Sequence, residues 1–164
     1  MACAAAGFYV VLEDVMPANL RKAEVEYSDM SLRGGFGELQ LASTVEDAVR
    51  EADIAIDFVP DELESKLEIF SMIDRMAPPK TIICTPSEAQ SITDLASCVY
   101  RPEKCIALRG KLVAGSEVRL LYPPMASQET IADVRAFFAH LGADLRTEVD
   151  PDAPMLVKNQ SLKH

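Results

Sequence analysis

The sequence contains no tryptophan, only two histidines (His140 and His164), and no pair of cysteines in a CxxC spacing. Cys3, Cys84, Cys98 and Cys105 are scattered, so the donor set for a structural or catalytic zinc ion is missing and no metal is expected. No apolar run approaches the ~20 residues that a membrane-spanning helix needs. Positive charge is also scarce: 16 Lys and Arg stand against 26 Asp and Glu, a net charge of −10. Nucleic acid and anionic membrane surfaces would be repelled, which argues against both as partners; a small ligand in a pocket is unaffected by this reasoning. The first seven residues carry no basic n-region and are too short for a signal peptide. Free thiols without a secretion signal fit a reducing cytoplasm.

What is present is the balance of a folded globular chain: 49% of the 164 residues are hydrophobic and 26% charged. A chain of this size buries about 70% of its unfolded surface and fits one domain, here 1–164. Neither repeats nor low-complexity stretches interrupt it.

Short apolar runs alternate with amphipathic segments, the pattern of βαβ units. FYVVL at 8–12 reads as a strand apolar on both faces, and 38–42 as a short second one. IAIDFV at 54–59 is the clearest buried strand, and TIICT at 81–85 the next. Residues 104–108, 118–122 and 143–149 are three more. Helices are expected from Thr44 to Ala52, Asp61 to about Met76, Ser91 to about Val99, and Ser127 to Leu141, closed by Gly142. Thr44 with Asp47 and Ser91 with Asp94 have the capping-box spacing. Between 17 and 37 the pattern gives only a helix start at Pro17 and a turn at Arg33-Gly34-Gly35-Phe36-Gly37. Strand–helix alternation predicts a parallel sheet with its ligand beyond the strands' C-terminal ends. That rule selects Asp14, Phe58 to Asp61, Thr85 to Glu88, and Arg109.

Each has a plain reading beside a functional one. Asp14 either meets a ribose or starts a turn before Pro17. Asp61 either faces a ligand at a helix N-terminus or stabilises the helix dipole, and Lys66 can be an ordinary solvated residue. Cys84 sits where a nucleophile could, but without a nearby histidine it reads as a core thiol. His140 near a helix end reads as a cation favourable to the dipole.

Residues 52–66, ADIAIDFVPDELESK, resemble the ADLVIEAVPENLELK stretch common in 3-hydroxyacyl-CoA dehydrogenases. The run TIICTPSEAQSITDLASCVYRPEKCIAL at 81–108 is similar to that family's TILASNTSSLSITELA…RPERVIGL. SQETIADVRAFFAHLGADL at 127–145 is similar to its SEETVATVRALAERLGK. ACAAAGFYVVLEDV at 2–15 resembles the end of its first helix and its second strand. The likeness covers nearly the whole chain apart from 17–42. It implies a Rossmann-like, mostly parallel sheet flanked by helices, an oxidoreductase, and NAD as cofactor. It further implies a small-molecule substrate such as an acyl-CoA, a role in fatty acid metabolism, and a homodimer built by a helical C-terminal domain that 1–164 does not include.

By this resemblance the ribose acid falls on Asp14. The acid and lysine on the nicotinamide side fall on Asp61 and Lys66, with Phe58, Val59 and Thr85 lining the cofactor. The family's first strand and its GxGxxG turn lie before the point matched by Met1, so binding is expected to be weakened or lost. Gly34, Gly35 and Gly37 precede a strand and cannot replace a loop that follows one. The catalytic histidine position is Arg109, the serine position is Glu88, and the glutamate position falls near Leu121, in a strand without an acid. The asparagine position is Asn159, in DAPMLVKN, similar to the family's DAPGFVVN. Arginine, always protonated, cannot act as general base. Glu88 and Arg109 are instead expected to pair across the cleft mouth, as a structural ion pair or as a cationic site for an anion. Two functions follow: an oxidoreductase using another base, such as Glu88, or a non-catalytic module that binds a nucleotide or a protein.

Overall fold

The computed structural model describes residues 1–111, 115–152 and 156. Among the described residues seven strands and six helices follow one another as α1(Ala2–Ala5), β1(Val10–Glu13), α2(Pro17–Ser31), β2(Leu39–Ala42), α3(Val45–Val49), β3(Ile54–Ile56), α4(Leu63–Met76), β4(Ile82–Pro86), α5(Ile92–Ala96), β5(Cys105–Gly110), β6(Glu117–Tyr122), α6(Gln128–His140) and β7(Asp144–Val149). A 3-10 turn, Pro102–Lys104, leads into β5.

The helix starts obey the capping chemistry. Thr44, Ser91 and Ser127 each accept a hydrogen bond from the backbone N–H three residues on. At the other end of α6, Gly142 takes a φ of +81°, the left-handed conformation that closes a helix.

The strands form two groups. β3-β4-β5-β6-β7 make a five-stranded sheet, and β1-β2 a separate parallel pair. Within the larger sheet β3, β4 and β5 run parallel, β6 returns antiparallel to β5, and β7 is parallel to β6. The sheet is thus mostly parallel, as the resemblance implies, with β5–β6 the antiparallel pair among the described residues. Residues 109–117 are too few for a crossover helix, which a parallel connection would require.

Both faces of the five-stranded sheet are covered, which explains why its strands lack alternation. Ile83 and Ala107 point to one face with Phe70, Ile73, Ile92 and Leu95 from α4 and α5. Ile82, Cys84, Ile106 and Leu108 point to the other, against Val134 and Phe138 of α6. Phe70, at 0% exposure, contributes about 2–3 kcal/mol by its burial alone.

β1 departs from its sequence pattern. Its four residues are only half-buried, not covered on both faces. Among the described residues β1 pairs with β2 alone, so one of its edges carries no neighbouring strand. Helix α2 buries only Ala23. With so little of its surface packed, no apolar stripe was required, and none could be read in the sequence. Gly37 precedes β2 because the chain passes against the Phe8 carbonyl; a Cβ there would lie 2.0 Å from that oxygen.

Arg101 ties β5's approach to the end of α4. Its guanidinium donates to the Asp74 carboxylate and to the carbonyls of Asp74, Ala77, Pro78 and Thr81. Asp74 and Ala77 belong to the last turn of α4 and the residue after it, where carbonyls lack helical partners.

Candidate active site at the ends of β3, β4 and β5

Side chains add to the backbone pairing at the strand ends. Asp61, between β3 and α4, accepts from the Ser87 hydroxyl at 2.6 Å and from the N–H groups of Glu88 and Ala89 at 2.9 and 3.1 Å. Partial burial acts to raise the Asp61 carboxyl. The hydrogen bonds from Ser87, Glu88 and Ala89 and the Lys66 charge outweigh it and hold Asp61 below the usual carboxylate range. Ser87 continues the chain of contacts, because its carbonyl accepts from Arg109 Nε at 3.1 Å. Asp61, the 87–89 loop and Arg109 therefore form one connected floor.

Lys66 lies beneath this floor, 1% exposed. Its ammonium donates to Asp57 Oδ1 at 2.8 Å and to the Pro86 carbonyl at 3.0 Å. The solvated reading of Lys66 is thereby overturned. A buried charge needs a counter-charge, and Asp57 at the end of β3 supplies it. The sequence reading passed over Asp57, though an acid inside an otherwise apolar strand was the available signal.

Glu88 and Arg109 do not pair with each other, contrary to expectation. Arg109, 9% exposed, forms an ion pair with Asp152, while Glu88 accepts from the Gly110 N–H at 3.1 Å. The antiparallel turn explains the partition. Arg109 stands directly opposite Arg119 in the β5–β6 ladder, where like charges repel. Each takes a carboxylate from β7 or just beyond it: Asp152 for Arg109, Glu148 for Arg119.

Asp152 is held by a second acid that the sequence reading missed. Asp150 Oδ1 accepts from the Asp152 N–H, and Asp150 Oδ2 accepts from the Ser91 hydroxyl and from the hydroxyl and N–H of Thr93. Desolvation acts to raise the Asp150 carboxyl, but these bonds prevail and keep it below its ordinary value.

The remaining positions fall at the edges. Phe58 is 75% exposed and presents its ring to solvent. Val59 is half-buried beside it, and the Thr85 side chain is fully buried. Leu121, where the resemblance expects an acid, is a buried core residue. Asp14 follows β1 and accepts from the Met16 N–H at 2.7 Å and the Asn19 amide at 2.9 Å. Those bonds hold its carboxyl low. It starts the turn into α2, and no hydrogen bond joins it to the β3–β5 floor among the described residues. Cys84 is fully buried, which pushes its thiol far up and leaves no reactive thiolate. His140 Nε2 meets the Ala6 carbonyl at 2.9 Å, so its ring fastens the N-terminal segment to α6. Asn159 lies outside the described residues. Among the described residues no cluster could hold a metal ion, and no helix is long and apolar enough to cross a membrane.

Residues 1–109 match the family described as 3-hydroxyacyl-CoA dehydrogenase, NAD binding domain. The chain belongs to that family. It is 27% identical to a probable 3-hydroxybutyryl-CoA dehydrogenase of Bacillus subtilis, over 96% of this chain and 59% of that protein. A 5-formyl-3-hydroxy-2-methylpyridine 4-carboxylate 5-dehydrogenase of Mesorhizobium japonicum is 25% identical, over 95% of this chain and 54% of the relative. Among solved structures, (S)-3-hydroxybutyryl-CoA dehydrogenase of Ralstonia eutropha superposes with a TM-score of 0.77 at 23% identity, covering 98% of this chain and 61% of that one. The chain thus spans a little over half the length of these relatives, and its fold is that of the family's cofactor-binding part.

Proposed function

We propose that this chain forms the cofactor side of an NAD-dependent oxidoreductase acting on a 3-hydroxyacyl-CoA or a related hydroxy acid. The observation that carries the proposal is the connected floor: Asp61, Ser87 and Arg109 bring the ends of three parallel strands to one place. Ligands of open α/β sheets bind at such ends.

The residues present fit part of a dinucleotide. Exposed Phe58 and half-buried Val59 offer a surface at the end of β3, and half-buried Asp14 offers a carboxylate for hydroxyl groups. Asp61 and Lys66 are occupied internally, so they shape the crevice by holding the 86–89 segment, with Thr85 buried behind it. Among the described residues no turn from a strand to a helix is glycine-rich: β1 leads to α2 through Asp14, Val15 and Met16, so a pyrophosphate finds no bare backbone there. Affinity for NAD from this chain alone is therefore expected to be weak.

Bound NAD supplies a two-electron hydride acceptor. Oxidation of an alcohol also requires a base for the hydroxyl proton, and Glu88 at the mouth of the crevice is the titratable group in place. Arg109, fixed through Nε, has an Nη1 that makes no hydrogen bond among the described residues and is not sealed from solvent. It would stabilise the developing oxyanion. We place the protein in a reducing compartment such as the cytoplasm, with a homodimer as its assembly.

Calorimetric titration with NAD and NADH tests the binding claim, and NADH formation from a panel of 3-hydroxyacyl-CoA and hydroxy acids tests the catalytic one. Binding without turnover by the longest available form of the protein would remove the oxidoreductase reading. No heat with either nucleotide from that longest form would remove both.

A further inference from the structure

Three open hydrogen-bonding valences meet on the helix-covered side of the β3–β4 ends. Asp57 Oδ2 and Thr85 Oγ1 are both sealed from solvent and have no hydrogen-bond partner among the described residues. The third valence is on Lys66: an ammonium has three N–H groups, and only two are engaged, by Asp57 Oδ1 and the Pro86 carbonyl.

The sheet register makes these groups neighbours. Ile56 stands opposite Cys84, so Asp57 and Thr85 are the next step along adjacent strands. Both share a face with Ala55 and Ile83, the face covered by α4, which carries Lys66. Residues on this face cannot reach bulk water, since Asp57, Lys66 and Thr85 are 6%, 1% and 0% exposed. Buried polar groups left without partners are strongly disfavoured, and native proteins satisfy them with protein groups or ordered water.

We propose that Asp57, Lys66 and Thr85 together bind one internal water molecule. The match is complementary in both directions. Water accepts the third Lys66 N–H and the Thr85 O–H through its two lone pairs, and donates one proton to Asp57 Oδ2. A metal cation is ruled out by the adjacent ammonium, and an anion by the carboxylate. Internal water generally makes about three hydrogen bonds, as here. With its third N–H tied down, Lys66 acts as a positioning residue: it holds the Pro86 carbonyl, and through it the segment bearing Glu88, rather than touching a ligand itself. The water site stands independently of the proposed function, since it depends only on the apo fold.

A crystal structure of the 164-residue chain, at a resolution that shows ordered solvent, tests this directly. One density peak is expected within hydrogen-bonding distance of Asp57 Oδ2, Lys66 Nζ and Thr85 Oγ1. Thr85→Val, which keeps the side-chain shape and removes the hydroxyl, is expected to weaken or abolish that peak and to lower the thermal midpoint. A direct Asp57–Thr85 hydrogen bond, the absence of a peak in the parent protein, or a peak and midpoint both unchanged in Thr85→Val would overturn the proposal.

Discussion

Lys66 and Asp57 form an ion pair of 2.8 Å with both side chains 1% exposed, nine residues apart in sequence and on different elements. It joins the first turn of α4 to the end of β3 beneath the crevice. Removing one partner leaves the other charged and buried, which costs about 3–5 kcal/mol. Lys66→Met should therefore lower the unfolding free energy in urea by that amount. The double variant Asp57→Leu, Lys66→Met should recover most of the loss. A Lys66→Met protein as stable as the parent would show that the pair is not what holds this junction.

Arg101 makes the corresponding tie at the other end of α4. It satisfies a nearly buried Asp74 carboxylate and four carbonyls at once. Arg101→Met is expected to cost about 3 kcal/mol or more in chemical denaturation. Arg101→Lys should be only partly restorative, because a single ammonium cannot reproduce the guanidinium fork. Equal stability of the lysine variant and the parent would contradict this account.

Acid should loosen the crevice before the core. Asp61 and Asp150 both have folded-state carboxyl pKa values below their ordinary values. A depressed group contributes stability that is fully present above the unfolded pKa, about 3.9 for Asp, and lost as pH falls through the folded value. Thermal midpoints should be flat on these groups' account from neutral pH to about 5, then decline below about 4. Asp150→Asn should flatten that acid decline, as followed by a pH series of melting curves. An unchanged decline would mean that Asp150 does not contribute to it.

Gly37 tests the packing of the N-terminal segment. A methyl group there meets the Phe8 carbonyl oxygen at 2.0 Å, and that obstacle is backbone, not a flexible side chain. Gly37→Ala should cost about 2 kcal/mol, within the usual range for overpacking. Differential scanning calorimetry would show it as a drop in midpoint, whereas Gly35→Ala should act through backbone strain alone, because its φ is +77° with nothing within 4 Å.

Asp14 separates the turn role from the ligand role. Asp14→Ala removes acceptors for Met16 and Asn19 and should lower the thermal midpoint slightly. If the carboxylate also meets ribose hydroxyls, NAD affinity should fall about tenfold. Unchanged affinity in calorimetry would leave Asp14 with the turn alone.

Much of the architecture was legible from local pattern. The apolar runs at 54–59, 81–85 and 104–108 and the helix starts at Thr44, Ser91 and Ser127 announced elements that the structure contains, with the strands at 54–56, 82–86 and 105–110. The strand-end rule selected Asp61, Thr85 to Glu88 and Arg109, and Asp61 and Arg109 do meet through Ser87. The partners were not legible. Asp152 lies 43 residues from Arg109, and Asp150 lies 59 from Ser91, distances at which no periodicity speaks. The pairing of Glu88 with Arg109 looked reasonable from charge alone and failed because Arg109 takes Asp152 while Glu88 accepts from the Gly110 N–H.

By itself the sequence determined the alternation of strands and helices and the family resemblance, and with it the expectation of a histidine where Arg109 stands, because these depend on residue type and near-neighbour spacing. Only the tertiary structure decided that β6 runs antiparallel, that β1 is half-covered, and that Lys66 is buried against Asp57 and not solvated. Those outcomes depend on which distant groups compete for the same charge or the same sheet edge, and that competition is settled only when the chain is packed.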